Sequence, residues 1–92
     1  MQRTSLSPAD ALSALRAEAP LTQCITNYVA MNIAANTLLA AGAAPAMVHT
    51  VEESGAFARI ARAVTINIGT LSPAWVDGMR AAATAANEVG TP

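Results

Sequence analysis

Asn27, Met47 and Gly69 of this 92-residue sequence offer parts of a small-molecule site without offering a charge. Asn27 carries a donor and an acceptor on one planar amide, Met47 a polarisable thioether suited to packing on a ring, and Gly69 a backbone that a ligand can approach closely. Such a set suits a small neutral heterocycle. It holds no acid, base or nucleophile, so the chemistry is substrate recognition, and no catalytic, cofactor-binding or metal-ligating residue is assigned. Each residue also has a plainer role. Asn27 and Asn67 would serve equally by satisfying backbone groups at strand ends, and Met47 by filling core. Thr70 and Ser72 suit an anion at a helix start, although capping is the commoner role. His49 and Cys24 stand at no recognisable spacing from a nucleophile, base or metal partner and read as structural. Glycine motifs of the P-loop or dinucleotide type are absent.

The elements that must position these residues follow from caps and periodicity. Ser7-Pro8 with Asp10 opens a helix whose stripe is Leu12, Leu15 and Ala19 and which Pro20 stops. Residues 21–26 form a buried strand with Asn27-Tyr28 at its exit. Residues 29–41 are apolar on nearly every side and end at Gly42, which predicts a buried helix with Asn32 and Asn36 on one face. Residues 46–48 form a short strand ending near His49-Thr50. Residues 52–63 are helical, with Phe57, Ile60 and Ala61 inward and Arg59 and Arg62 outward. Residues 64–68 form the clearest strand, closed by Gly69. Ser72-Pro73 opens a long helix to Val89, ended by Gly90, and Thr91-Pro92 leads toward another strand. Strands alternating with helices of about 12 residues predict right-handed crossovers and a parallel α/β sheet. Ligands of such sheets bind beyond the carboxyl ends of the strands, where Asn27, Met47 and Gly69 fall.

No charged residue lies between Glu18 and Glu52. Such a stretch is a membrane span or an interior. A span needs about 20 apolar residues, and breaks at Asn27 and at Gly42 and Pro45 leave about 14. A parallel sheet covered on both faces explains the hydrophobicity better. Asparagines buried there would need a task, since an unpartnered amide costs about 1–3 kcal/mol.

Ninety-two residues make one domain at most. Apolar residues form 53% and charged residues 12%, against about 25% charged in a freestanding domain. Something else is therefore expected to cover part of the surface: a partner subunit, a membrane or a further part of the same chain. A net charge of −1 with five scattered Arg argues against nucleic acid. Cys24 is alone, so no intrachain disulfide forms, and a reduced cytoplasmic setting is the simplest reading. Met1-Gln2-Arg3-Thr4 leads into capping residues, without an export signal.

The blocks PLTQCITNYVAMNIAAN (Pro20 to Asn36), LLAAGAAPAMVHTVEE (Leu38 to Glu53) and TINIGTLSPAW (Thr65 to Trp75) resemble the N-terminal part of the hydroxyethylthiazole kinase family. The likeness runs from Pro20 onward, with I-T-N-Y, G-A-x-P-x-M and N-I-G-T-L-S in the family's order and spacing. The resemblance implies a ribokinase-like three-layer α/β fold and ATP-dependent phosphorylation of the hydroxyl of 4-methyl-5-(2-hydroxyethyl)thiazole in thiamine salvage. It further implies magnesium as cofactor and a homotrimer with substrate sites between subunits. The family's substrate-contacting Met falls on Met47, and the Asn closing the first strand on Asn27. Ala44, Thr37 and Arg62 depart from the residues usual in the family, which bears on helix packing more than on ligand binding.

Family members continue past Pro92 through an Asp-Pro-Val strand, ATP contacts, a magnesium site and a Gly-rich anion hole with the catalytic base. Residues 1–92 are thus expected to be a partial domain that supplies thiazole recognition and does not catalyse phosphoryl transfer alone. The competing readings are a non-catalytic module that only associates with other subunits, and a kinase of the same fold acting on another small alcohol. The I-T-N-Y and G-A-x-P-x-M blocks speak against the latter.

Overall fold

The computed structural model describes residues 6–92, so the opening Met1-Gln2-Arg3-Thr4 lies outside the described residues. Helix α1 spans Pro8–Glu18, with Ser7 accepting from the Asp10 backbone N–H at its start. It is followed by β1 (Leu21–Ile25), α2 (Tyr28–Ala41), β2 (Ala44–Ala46), α3 (Val51–Ile60), β3 (Ala63–Ile66) and α4 (Pro73–Val89). The three strands form one parallel sheet in the order β2-β1-β3. Leu21 pairs with Ala44 on one side of β1, and Ile25 with Ile66 on the other. The chain therefore leaves β1 on one side through α2 and returns across it through α3. That reversal opens a crevice at the carboxyl ends of β1 and β3.

The core lies where α3 and α4 cover the central strand. Ile25 is enclosed by Ala58, Met79, Ala82, Ala85 and Ala86, with Val64 and Trp75 packed against the cluster. Small residues bring the two helices together, and Gly55 stands next to the Ala81 carbonyl. On the exposed flank, Arg59 of α3 pairs with Glu88 of α4. Gly42 and Gly90 end α2 and α4 in left-handed conformations, as their C-terminal positions require. Ser72 makes no side-chain cap bond, so the Ser-Pro pattern before α4 rests on Pro73 alone.

Several expectations need correction. Helix α2 is not buried: none of its residues is enclosed, and Val29 is 94% and Ile33 69% exposed. Helix α1 and strand β2 contact only part of it, and nothing else in the described residues covers its outer side. Asn32 and Asn36 do share a face, but an exposed one, where the Asn36 amide donates to Asn32 Oδ1 at 2.6 Å. They are surface partners and not buried amides with a task. Strand β2 ends at Ala46 instead of residue 48, because the next carbonyls are taken by side chains and leave the ladder.

Strand β1 stops at Ile25, one residue early. Strand β3 stops at Ile66, and Asn67, after a last bond to the Ile25 carbonyl, folds its own side chain onto the Gly69 N–H. Helix α3 ends at Ile60 because the Arg62 N–H joins the sheet at the Leu21 carbonyl, and Ile60 itself is 66% exposed. Ala44 belongs to a strand, and Thr37 and Arg62 are exposed, so none of the three departures sits in helix packing. Pro92 accepts from the Val64 N–H at 2.9 Å, which places the end of the described chain beside β3. Among the described residues no helix is long and apolar enough to cross a membrane.

Candidate functional site

The exits of all three strands lie on the carboxyl edge of the sheet. Asn27 follows β1, Met47 follows β2, and Gly69 lies in the turn after β3. Asn27 and Gly69 are brought into direct contact. The Asn27 amide nitrogen donates to the Gly69 carbonyl at 3.3 Å, while its Oδ1 accepts the Ala30 N–H at 2.9 Å and caps α2. Asn67 mirrors it, donating to Thr26 Oγ1 and accepting from the Gly69 N–H, both at 2.9 Å. Together the two asparagines lace the β1 exit to the β3 exit.

The plainer role of Asn27 is therefore filled, and it does not exhaust the side chain. One amide N–H and one lone pair of Asn27 make no hydrogen bond among the described residues. Thr70, next in the turn, has φ +56°, a left-handed conformation unusual for a β-branched residue. The lacing holds the turn in that shape.

Met47 is half-buried at the neighbouring exit, in a segment fixed by its carbonyls. The Met47 carbonyl lies 3.2 Å from His49 Nδ1, and the Val48 carbonyl accepts from Gln23 Nε2 at 2.9 Å. Gln23 is wholly buried in the middle of β1 and also reaches the Ser54 carbonyl at 3.4 Å. Gln23 Oε1 and Ser54 Oγ are buried without a hydrogen-bond partner. The third carbonyl, that of His49, sits against Gly78 of α4, where any β-carbon would collide with it.

Three aromatic rings meet beside this segment. His49 stacks on Trp75 with centroids 3.9 Å apart and planes 9° from parallel. Tyr28 stands edge-on to both, 5.2 Å from Trp75 and 6.1 Å from His49. With Thr50, Glu52 and Ala74 they border a cleft of about 250 Å³. A larger, shallower hollow of about 470 Å³ lies along α3 between Val48 and Ile60, away from Asn27. The cleft includes Tyr28, which follows Asn27, and the hollow begins at Val48, which follows Met47, while Asn27, Met47 and Gly69 line neither of them.

Reading the sequence did not single out Tyr28, Trp75 or Gln23, which the structure brings near the strand exits, and read His49 as structural. One signal was available: Tyr28 and His49 each lie three residues past a strand end and Trp75 lies in the first turn of the helix after β3, which in a parallel sheet brings all three to the same edge. Cys24 is buried and free, as expected of a structural thiol. Among the described residues no group of three or more His, Cys, Asp or Glu could hold a metal ion. The amide of Asn27, the thioether of Met47 and the rings of Tyr28, His49 and Trp75 thus all lie toward the carboxyl edge of the sheet. The arrangement supplies no group that would carry phosphoryl charge.

Comparison with known proteins agrees with this geometry. A family model described as the hydroxyethylthiazole kinase family matches residues 12–92. A hydroxyethylthiazole kinase of Gemmatimonas aurantiaca is 86% identical over 87 residues, covering 95% of this chain and 31% of that protein. One of Rhizobium johnstonii is 66% identical over 90 residues, covering 98% of this chain and 34% of that protein. The solved structure of hydroxyethylthiazole kinase from Pyrococcus horikoshii superposes with a TM-score of 0.84 at 50% identity, over 89% of this chain and 32% of that one. The chain spans about a third of the length of the curated relatives it matches.

Proposed function

The chain belongs to the hydroxyethylthiazole kinase family, and from that premise we propose that it forms the thiazole-recognition part of an ATP-dependent kinase. The substrate is 4-methyl-5-(2-hydroxyethyl)thiazole, phosphorylated on its side-chain hydroxyl. The observation that carries this reading is the convergence of Asn27, Met47 and Gly69 on one edge of the sheet, in a setting without a charged side chain among the three. Met47 packs on the thiazole ring and Asn27 offers its remaining N–H to a ring or hydroxyl acceptor.

Phosphoryl transfer needs a positioned triphosphate and groups that neutralise its charge. On the family resemblance, ATP and magnesium are held by other parts of the kinase. These 92 residues alone therefore bind without catalysing. The exposed α2 face around Val29 and Ile33 suits a subunit contact, and we assign it to a homotrimer working in the cytoplasm. An apolar face beside a substrate site supports that assignment.

The test is phosphorylation by the full-length protein with ATP, offering the thiazole alcohol in competition with a hydroxymethylpyrimidine. Preferential turnover of the thiazole alcohol is expected. Preference for the pyrimidine would assign the site to another small-alcohol kinase of this fold. No turnover of either, with association retained by light scattering, would favour a non-catalytic module.

A further inference from the structure

The segment that carries Met47 is held by three consecutive carbonyl oxygens, each against a different part of the fold. Met47 O faces the ring of His49, Val48 O is taken by buried Gln23 of β1, and His49 O fills the hollow at Gly78 of α4. A carbonyl only accepts, so the contact at 3.2 Å places the proton on Nδ1 of His49. One face of the imidazole lies on Trp75, with centroids 3.9 Å apart. Trp75 and Gly78 are three residues apart on α4 and so share one side of that helix. They form a socket, one residue supplying a flat wall and the other the space for a backbone oxygen. Ser54 Oγ borders the same space, in ordinary contact with the position a Gly78 β-carbon would take.

We propose that His49 is a positioning residue for substrate recognition: seated between Trp75 and Gly78, it donates from Nδ1 to the Met47 carbonyl and fixes where the Met47 thioether meets the ring. This rests on the assignment of Met47 to the thiazole site. In this role His49 acts through Met47, although its ring also borders the cleft. Its two faces of contact transmit the placement of α4 to the exit of β2, so the aim of Met47 depends on a helix that begins 26 residues later in the chain.

The experiment is steady-state kinetics of the full-length kinase carrying Met47→Ala, His49→Ala, His49→Asn or His49→Phe, with KM read separately for the thiazole alcohol and for ATP. His49→Ala is expected to raise the thiazole KM about tenfold, the combined effect of one hydrogen bond and one aromatic stack, with kcat and the ATP KM within about twofold. His49→Asn, whose amide N–H reaches the place of Nδ1–H, recovers most of that affinity, whereas His49→Phe keeps the stack without the donor and recovers less. An unchanged thiazole KM in His49→Ala, with Met47→Ala still raising it, overturns the positioning role alone. If Met47→Ala changes nothing, the thiazole assignment fails and takes this role with it. A parallel rise of both KM values with a fall of thermal stability in all three His49 variants makes His49 a plain packing residue and overturns the proposal. Should His49→Ala fail to fold, the order of Asn above Phe still decides, and the reverse order refutes it.

Discussion

Helices α2 and α4 show how weakly apolar composition alone determines burial. From Tyr28 to Ala41, α2 carries no charged residue, yet none of its side chains is enclosed. Helix α4 carries Asp77, Arg80 and Glu88 and still places Gly78, Met79, Ala82, Ala85 and Ala86 in the interior. The spacing of those five follows one stripe of a helix, and α3 lies against that stripe with alanine and glycine of its own. In α2 the apolar residues run all round, so no single side is singled out for the sheet, and Val29 and Ile33 point away from it. Burial follows a partner surface of matching shape. The α4 side has one within the described residues, and the outer side of α2, which adjoins the strand exits through Tyr28, does not.

If the α3–α4 face is the stabilising one, damage there should dominate. Ile25→Ala, at the centre of the cluster, is expected to cost about 3 kcal/mol in chemical denaturation of the full-length protein. A cost below that of an ordinary surface change would move the core elsewhere. Gly78→Ala should cost about 2 kcal/mol, since a β-carbon cannot share space with the His49 carbonyl and the socket must open. Because that carbonyl belongs to the segment holding Met47, the same variant should also weaken thiazole binding, and reduced stability with unchanged binding would uncouple the two.

On the other side the effects should be smaller and of a different kind. Asn27→Ala is expected to cost about 1 kcal/mol by removing the cap of α2, and Asn27→Ser, which retains a capping oxygen, to recover most of it. Comparing their thiazole affinities separates capping from substrate contact. Paired substitution of Val29 and Ile33 by serine should shift the unfolding free energy of each subunit by no more than about 0.5 kcal/mol. Its readout is assembly: if the proposed homotrimer forms through this face, light scattering should show the variant as monomers. An intact trimer would place the subunit contact on another face.

Much of this was legible in local chemistry. Ser7, Gly42 and Gly90 mark helix ends because caps act on their own backbone within a few residues. Alternating strands and helices placed Asn27 and Met47 at the carboxyl edge of a parallel sheet, where the structure has them, and the motifs named the family. Burial of α2 was not legible, since it depends on what lies opposite. Strand ends shifted by one or two residues because Gln23, His49 and Asn67 spend side-chain groups on backbone atoms that a ladder would otherwise use. The His49 socket was hidden for the same reason: Trp75 and Gly78 lie more than 25 positions from His49, and no spacing rule joins them.

The most direct measurement is calorimetric titration of the full-length protein and of its Met47→Ala variant with the thiazole alcohol and, separately, with ATP. Removing the thioether from the ring should weaken thiazole binding about tenfold, the affinity equivalent of the apolar surface that the side chain covers, and leave ATP binding unchanged. Equal thiazole affinity in the two proteins would contradict the assignment of the strand-exit site.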